Sequence, residues 1–174
     1  GGVVPPKAAP YRPTSVSTNI AAAGLGVGAN PSVTATGGAG NFVRISADDG
    51  GGTGDGGGAR FNGPAVVSGS LFARNRSAYD GGGAIFYGYP VAITSTQFLT
   101  NASGNDGGGM YSRYTTTVYA SYFISNTALG ENFGYGGGAF FDGSSHVELS
   151  RFERNWSFRD GGGAYFYGGP LEYT

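Results

Sequence analysis

Phe72-Ala73-Arg74-Asn75, followed by Gly81-Gly82-Gly83-Ala84-Ile85-Phe86, is the stretch from which the fold can be read. Phe-x-x-Asn returns as Phe98/Asn101, Phe123/Asn126 and Phe152/Asn155, and a glycine triplet follows each copy. From Phe72 onward the spacings are 26, 25 and 29 residues. A unit of that length cannot bury its own apolar face and must stack on copies of itself, so the chain reads as a solenoid.

Within the unit, Ala59, Ala84, Met110, Ala139 and Ala164 follow the triplets, and two residues later stand Phe61, Phe86, Ser112, Phe141 and Phe166. Residues two apart share a face of a strand, so this pair points inward and Arg60, Ile85, Tyr111, Phe140 and Tyr165 point outward. A second stretch carries Val67, Ile93, Val118 or Val147, and Ser70, Thr96, Ser121 or Ser150 leads into each Phe-x-x-Asn. Three short strands per unit, joined by turns of Gly, Asn, Asp and Pro, describe a coil of an all-β, single-stranded parallel β-helix with four to five rungs. No segment between the glycine blocks repeats apolar residues at helical spacing.

Stacked one rung apart, about 4.8 Å, Phe72, Phe98, Phe123 and Phe152 form one structural ladder and Asn75, Asn101, Asn126 and Asn155 another. Each asparagine amide carries donors and an acceptor, so such a column can satisfy itself. Asn75-Arg76-Ser77, Asn101-Ala102-Ser103 and Asn155-Trp156-Ser157 also match glycosylation sequons. The repeat accounts for these asparagines without a sugar, and a buried amide is no acceptor.

The pairing of Phe72-Ala73-Arg74-Asn75 with Gly82-Gly83-Ala84-Ile85 resembles the repeats of the chlamydial polymorphic outer-membrane proteins and related right-handed β-helix surface proteins. The resemblance covers residues 56–174. Gly137-Gly138-Ala139-Phe140 and Gly108-Gly109-Met110-Tyr111 depart from it by placing an aromatic or Met where Ile or Ala belongs. It implies a right-handed β-helix and a surface-exposed setting, and brings no specific activity with it.

Composition narrows the classes further. A chain of 174 residues is one domain, and 36 Gly, one Met and no Cys exclude a disulfide scaffold or an ordinary helical protein. The glycines lack the Gly-X-Y period of collagen, and 12 Phe with 12 Tyr require a packed core. A net charge of −1 gives no footprint for nucleic acid or an anionic membrane. No apolar run approaches the length of a transmembrane helix, and residues 1–20 lack the regions of a signal peptide. Richness in Gly, Thr, Ser and Tyr with little Lys fits an extracellular or cell-surface protein.

Residues 1–41, with Pro5, Pro6, Pro10 and Pro13, read as a leader, cap or subunit-linking arm, and 42–174 as the solenoid. Pro170 to Thr174 matches Pro90 to Thr94, so the last rung is unfinished. Ile20, Leu25 and Val27 in the arm, with Leu171 and Tyr173 at the other end, are the expected assembly interface. Strand addition in trans, repeated head to tail, makes a filament.

Four places invite chemistry. The loop Thr127 to Tyr135 is four residues longer than its equivalents and puts Tyr135 where other units have Asp, and such insertions mark a binding edge. Asp55, Asp80, Asp106 and Asp160 stack before the triplets; a carboxylate column can bind calcium, but Asx turns within each loop explain it more simply. Gly51-Gly52-Thr53-Gly54-Asp55 approaches a calcium-binding nonapeptide without recurring every nine residues. Asp142, His146, Glu148, Arg151 and Glu153 are the nearest material for catalysis, yet His146 is expected on a solvent-facing turn and no titratable pair stands apart from the repeat.

The outward series Ser68, Thr94, Tyr119, Glu148 is too irregular for an ice-binding face. Tyr87, Tyr89, Tyr111, Tyr114, Tyr119, Tyr122, Tyr165 and Tyr167 suit a protein or sugar contact, or packing within the sheet itself. Together these features predict a non-catalytic, extracellular, structural or adhesive β-solenoid without a cofactor, whose partner is itself or a carbohydrate or cell surface. A carbohydrate-binding or polysaccharide-cleaving β-helix is the alternative.

Overall fold

The computed structural model describes residues 54–168 apart from 63–64 and 88–89, and outside that span the strand residues 21–23, 42–43, 46–48, 51–52 and 171–173. The described strands form four sheets in which every pairing is parallel, stacked as a β-solenoid of about 4 turns. The first sheet stacks Ala59–Phe61, Ala84–Phe86, Met110–Ser112, Ala139–Phe141 and Ala164–Phe166. The second stacks Ala65–Ser68, Val91–Thr94, Thr116–Tyr119 and Ser145–Glu148, with Phe42–Val43 and Leu171–Tyr173 at its two ends. In the third, Leu71–Ala73, Gln97–Leu99, Tyr122–Ile124 and Arg151–Glu153 follow Ala21–Ala23 and Ser46–Asp48.

The fourth sheet is a correction to three strands per unit. Arg76–Ser77, Ala102–Ser103, Thr127–Ala128 and Trp156–Ser157 pair in register beyond the ladder asparagines. A two-residue strand is too short to show an alternating pattern, and only the backbone pairing reveals it.

Left-handed backbone turns the corners. The first glycine of each triplet, from Gly56 at φ 70° to Gly161 at φ 71°, occupies one corner. Gly69, Ser95, Ala120 and Leu149 occupy the second, and Arg74, Thr100, Ser125 and Arg154 the third, all at φ between 47° and 56°. The other two glycines of a triplet answer to space instead. A Cβ on Gly83 would lie 2.5 Å from the Gly109 carbonyl oxygen and 3.0 Å from Asn101 Nδ2.

The core is a set of columns. Phe72, Phe98, Phe123 and Phe152 stack at 4.9, 4.8 and 4.6 Å between ring centroids, the separation at which offset aromatic pairs attract. Phe61 stacks on Phe86 at 4.7 Å and Phe141 on Phe166 at 4.9 Å. Ser112 breaks that second column, and in the same coil Met110, fully buried, replaces the usual alanine.

Polar columns close the turns. Asn101 Oδ1 accepts from the backbone N–H and Nδ2 of Asn75, both at 3.0 Å, while Asn101 Nδ2 donates to the Phe72 carbonyl and to Asn126 Oδ1. The arrangement repeats from Asn126 to Asn155. Of the sequon asparagines, Asn75 and Asn101 are buried, as the structural reading expects, and Asn155 is partly exposed; Asn126, which stands in no sequon, is buried as well. Ser70, Thr96, Ser121 and Ser150 form a second column, each hydroxyl donating to the carbonyl two residues earlier and accepting, from Thr96 on, a backbone N–H of the preceding rung.

Candidate functional site

The outer face of the first sheet is a grid of three columns. Its middle column is Arg60, Ile85, Tyr111, Phe140 and Tyr165, outward in direction as expected. Ile85 and Phe140 are nevertheless buried, because neighbouring side chains cover them. Arg60 lies 4.7 Å over the Tyr87 ring, and Arg113 approaches the same ring at 5.7 Å. Phe140 is sandwiched between Tyr111 at 5.0 Å and Tyr165 at 5.5 Å.

On one flank run Asp55, Asp80, Asp106, Tyr135 and Asp160. Each of the first two carboxylates accepts the backbone N–H of the aspartate one rung on: Asp55 Oδ1 from Asp80 at 3.3 Å and Asp80 Oδ1 from Asp106 at 3.1 Å. Asp106 Oδ1 accepts from Gly134 at 3.1 Å and Tyr135 at 2.9 Å. These bonds link rungs, which corrects the expected Asx turns within each loop. Among the described residues no three His, Asp or Glu side chains come together in a way that could hold a metal ion. Burial pushes the Asp80 carboxyl up to about 6, against the hydrogen bond from Asp106 and with the charges of Asp106 and Asp55 adding to the rise. Asp106 is raised as well, again chiefly by burial and further by Asp142.

On the other flank run Tyr87, Arg113, Asp142 and Tyr167. Tyr111 donates its hydroxyl to Asp142 Oδ2 at 3.2 Å. Burial, then the charge of Asp142, holds the Tyr111 phenol neutral well above its usual range.

The long loop meets this grid at its upper end. Asp106 anchors the loop through Gly134 and Tyr135, and Arg159 donates to the Glu131 carbonyl at 3.0 Å. The result is a groove of about 320 Å³. Tyr111, Phe140 and Tyr165 make its floor, Asp106, Asn132, Phe133 and Tyr135 one wall, and Asp142 and Tyr167 the other. Phe133 and Tyr167 are 59% and 72% exposed, and Tyr167, stacked toward Phe140 at 6.4 Å, keeps its other face open.

Two separate expectations, the irregular loop and the outward tyrosines, therefore meet at one place. Tyr111, Tyr165 and Tyr167 line the groove, and Tyr87 adjoins it through Tyr111 at 6.4 Å. Tyr119 and Tyr122 lie on the second and third sheets, outside the groove. Tyr89 lies outside the described residues, as do Ile20, Leu25 and Val27; Leu171 and Tyr173 are described only as strand backbone paired with Ser145–Glu148. Phe133, Phe140 and Asn132 were not singled out from sequence as binding residues. Phe140 occupies a middle-column position, so the repeat alignment contains the signal; Phe133 and Asn132 lie in the insertion, where no repeat guides the reading.

The residues considered for catalysis separate. His146 sits within a strand rather than on a turn, with Nε2 3.6 Å from Glu148 Oε2 on the second sheet. Arg151 pairs with Glu153 at 3.1 Å on the third sheet, and Asp142 belongs to the groove. No helix among the described residues is long and apolar enough to cross a membrane. Comparison with known proteins finds no family whose pattern the chain matches and neither a curated protein nor a solved structure similar to it.

Proposed function

We propose that this protein is a non-catalytic, extracellular adhesive β-solenoid that holds a polysaccharide in the groove between its long loop and the tyrosine-bearing face. The observation that carries the reading is the convergence of Phe133, Tyr135, Tyr165 and Tyr167 with the acceptors Asp106 and Asp142 around about 320 Å³ of space. Concave, mostly aromatic sites with a few placed polar groups are what small polar ligands need, and aromatic rings with hydroxyl tips suit sugars. The surface setting is supported by composition and by the resemblance of the repeats to those of chlamydial polymorphic outer-membrane proteins.

The non-catalytic part of the proposal is supported by how the two carboxylates are used. Asp106 anchors the loop and Asp142 accepts from Tyr111, so both have structural partners. Two carboxylates in one groove also favour polysaccharide cleavage, and release of reducing ends from a polysaccharide panel is the assay that separates the readings.

Binding is tested by titrating the protein with soluble neutral, cationic and uronate oligosaccharides. Saturable binding that a Phe133→Ala, Tyr167→Ala double variant weakens by about 5- to 150-fold is the expected result, since stacked aromatic contacts are worth about 0.5–1.5 kcal/mol each. A complete lack of binding across the panel overturns the proposal.

Self-association along the solenoid axis is a second reading. It is favoured by the constant parallel register of all four sheets, which lets another chain continue each ladder. Electron microscopy over a concentration series tests it: fibres support it, and monomers at every concentration sink it.

A further inference from the structure

We infer that the groove selects a saccharide carrying free amines, such as a glucosamine polymer, over neutral or uronate chains; this rests on the carbohydrate reading above. The first argument is the sign of the lining. Two carboxylates, Asp106 and Asp142, face the groove, and among the described residues no Lys, Arg or His lines it. On the same grid Arg113 lies 5.7 Å from the Tyr87 ring, and Arg159 is bonded to the Glu131 carbonyl of the loop. A uronate would add a third negative charge to a partly desolvated site, which is a built-in rejection of that class.

The second argument is what a cation gains there. Among the described residues Asp142 has one oxygen engaged, by Tyr111, and Asp106 has one engaged, by the loop amides. The other oxygen of each remains to accept from a ligand. An ammonium group bonded to such an oxygen and placed against the exposed ring of Phe133, or the side of Tyr167 turned away from Phe140, combines a charge-assisted hydrogen bond with cation–π attraction.

The third argument separates a sugar chain from a basic peptide. The floor repeats along the solenoid axis at 5.0 Å and 5.5 Å between ring centroids, close to the advance per sugar of an extended β-1,4-linked chain. An extended peptide presents same-face side chains every two residues, about 6.6 Å apart, and falls out of step with this floor.

The test is calorimetric titration of the whole protein with glucosamine hexamer, its fully N-acetylated counterpart, an oligogalacturonate and hexalysine, at low salt and a pH where the amines are protonated. The glucosamine oligomer is expected to bind about tenfold more tightly than the N-acetylated one, the scale of one charge-assisted contact, and the uronate most weakly. Asp142→Asn, checked for folding by its thermal melt, is expected to reduce that ratio severalfold, while Tyr119→Ala on the second sheet leaves it intact. Equal or tighter binding of the N-acetylated oligomer or the uronate overturns the inference and leaves carbohydrate binding standing. Hexalysine binding as tightly as the glucosamine oligomer overturns the choice of a sugar, and an Asp142→Asn variant with an undiminished ratio overturns the site. Failure of every saccharide to bind removes the carbohydrate reading itself.

Discussion

Leu149 holds a left-handed corner at φ 49° while 71% exposed, so burial of its side chain does little to offset the strain. The equivalent corner in an earlier coil is Gly69. Leu149→Gly is therefore expected to raise stability by about 1 kcal/mol, and the melting temperature by about 2–4 °C, the relief of left-handed strain outweighing the entropy of glycine. Asn101 stands at the opposite extreme. Asn101→Ala removes the Oδ1 that accepts from the Asn75 backbone N–H and from Asn75 Nδ2 in a buried turn, and about 3 kcal/mol or more is expected to be lost in denaturant unfolding. Asn155→Ala, in a more open setting, is expected to cost less.

Asp80 makes stability depend on pH in an unusual direction. Its carboxyl, at about 6 in the folded chain, binds a proton more tightly than its reference value of 3.8. Between those values the folded state holds more protons than the unfolded state, so the contribution of Asp80 is fully present below about pH 4 and is lost as pH rises through about 6. Denaturant midpoints measured across this window are expected to fall with pH for this group. Asp80→Asn, which keeps an Oδ1 to accept from Asp106, is expected to flatten that slope and to stabilise at neutral pH. An unchanged slope rules out Asp80 as its source.

At the scale of the element, the strand Met110–Ser112 exchanges bulk between two inward positions. Its neighbours are Ala84 with Phe86 and Ala139 with Phe141, so Met110 supplies volume beside the gap that Ser112 leaves in the phenylalanine column. Met110→Ala alone is expected to cost about 2–5 kcal/mol through an unfilled cavity, and Ser112→Phe alone about 1–3 kcal/mol through overpacking. The double variant restores the alanine and phenylalanine of the other coils and is expected to return to within about 1.5 kcal/mol of the natural chain. Thr116, which bonds Ser112 Oγ, keeps its bond to the Tyr114 carbonyl when that hydroxyl is removed. A double-mutant cycle without coupling contradicts the exchange.

At the scale of the whole molecule, the described coils stack each on the next, so stability varies along the axis of their common core. Phe98 and Phe123 are completely buried, whereas Phe152 and Phe166 are only partly so. Amide hydrogen exchange is expected to be slowest in Gln97–Leu99 and Tyr122–Ile124 and faster in Arg151–Glu153 and Ala164–Phe166. Uniform protection across these strands would mean that the coils unfold together. The groove sits toward the less covered end, where the long loop is tied down through Asp106 and Arg159.

The repeat of Phe-x-x-Asn and glycine by itself determined the parallel solenoid, the inward Ala-x-Phe pairs and the asparagine ladder, because identical residues one rung apart must meet and satisfy one another. The fourth sheet was illegible, since Arg76–Ser77 and its equivalents are too short for periodicity and pair only through backbone. Only the tertiary structure decided that Ile85 and Phe140, outward by alternation, are buried: Ile85 lies between Arg60 and Tyr111 of the adjoining rungs, and Phe140 is stacked between Tyr111 and Tyr165. Likewise only the folded chain brings Phe133 of the insertion opposite Tyr167. Alternation along a strand fixes which way a side chain leaves the backbone; what covers it depends on neighbours about 25 residues away in sequence, and in the insertion no repeat says who those neighbours are.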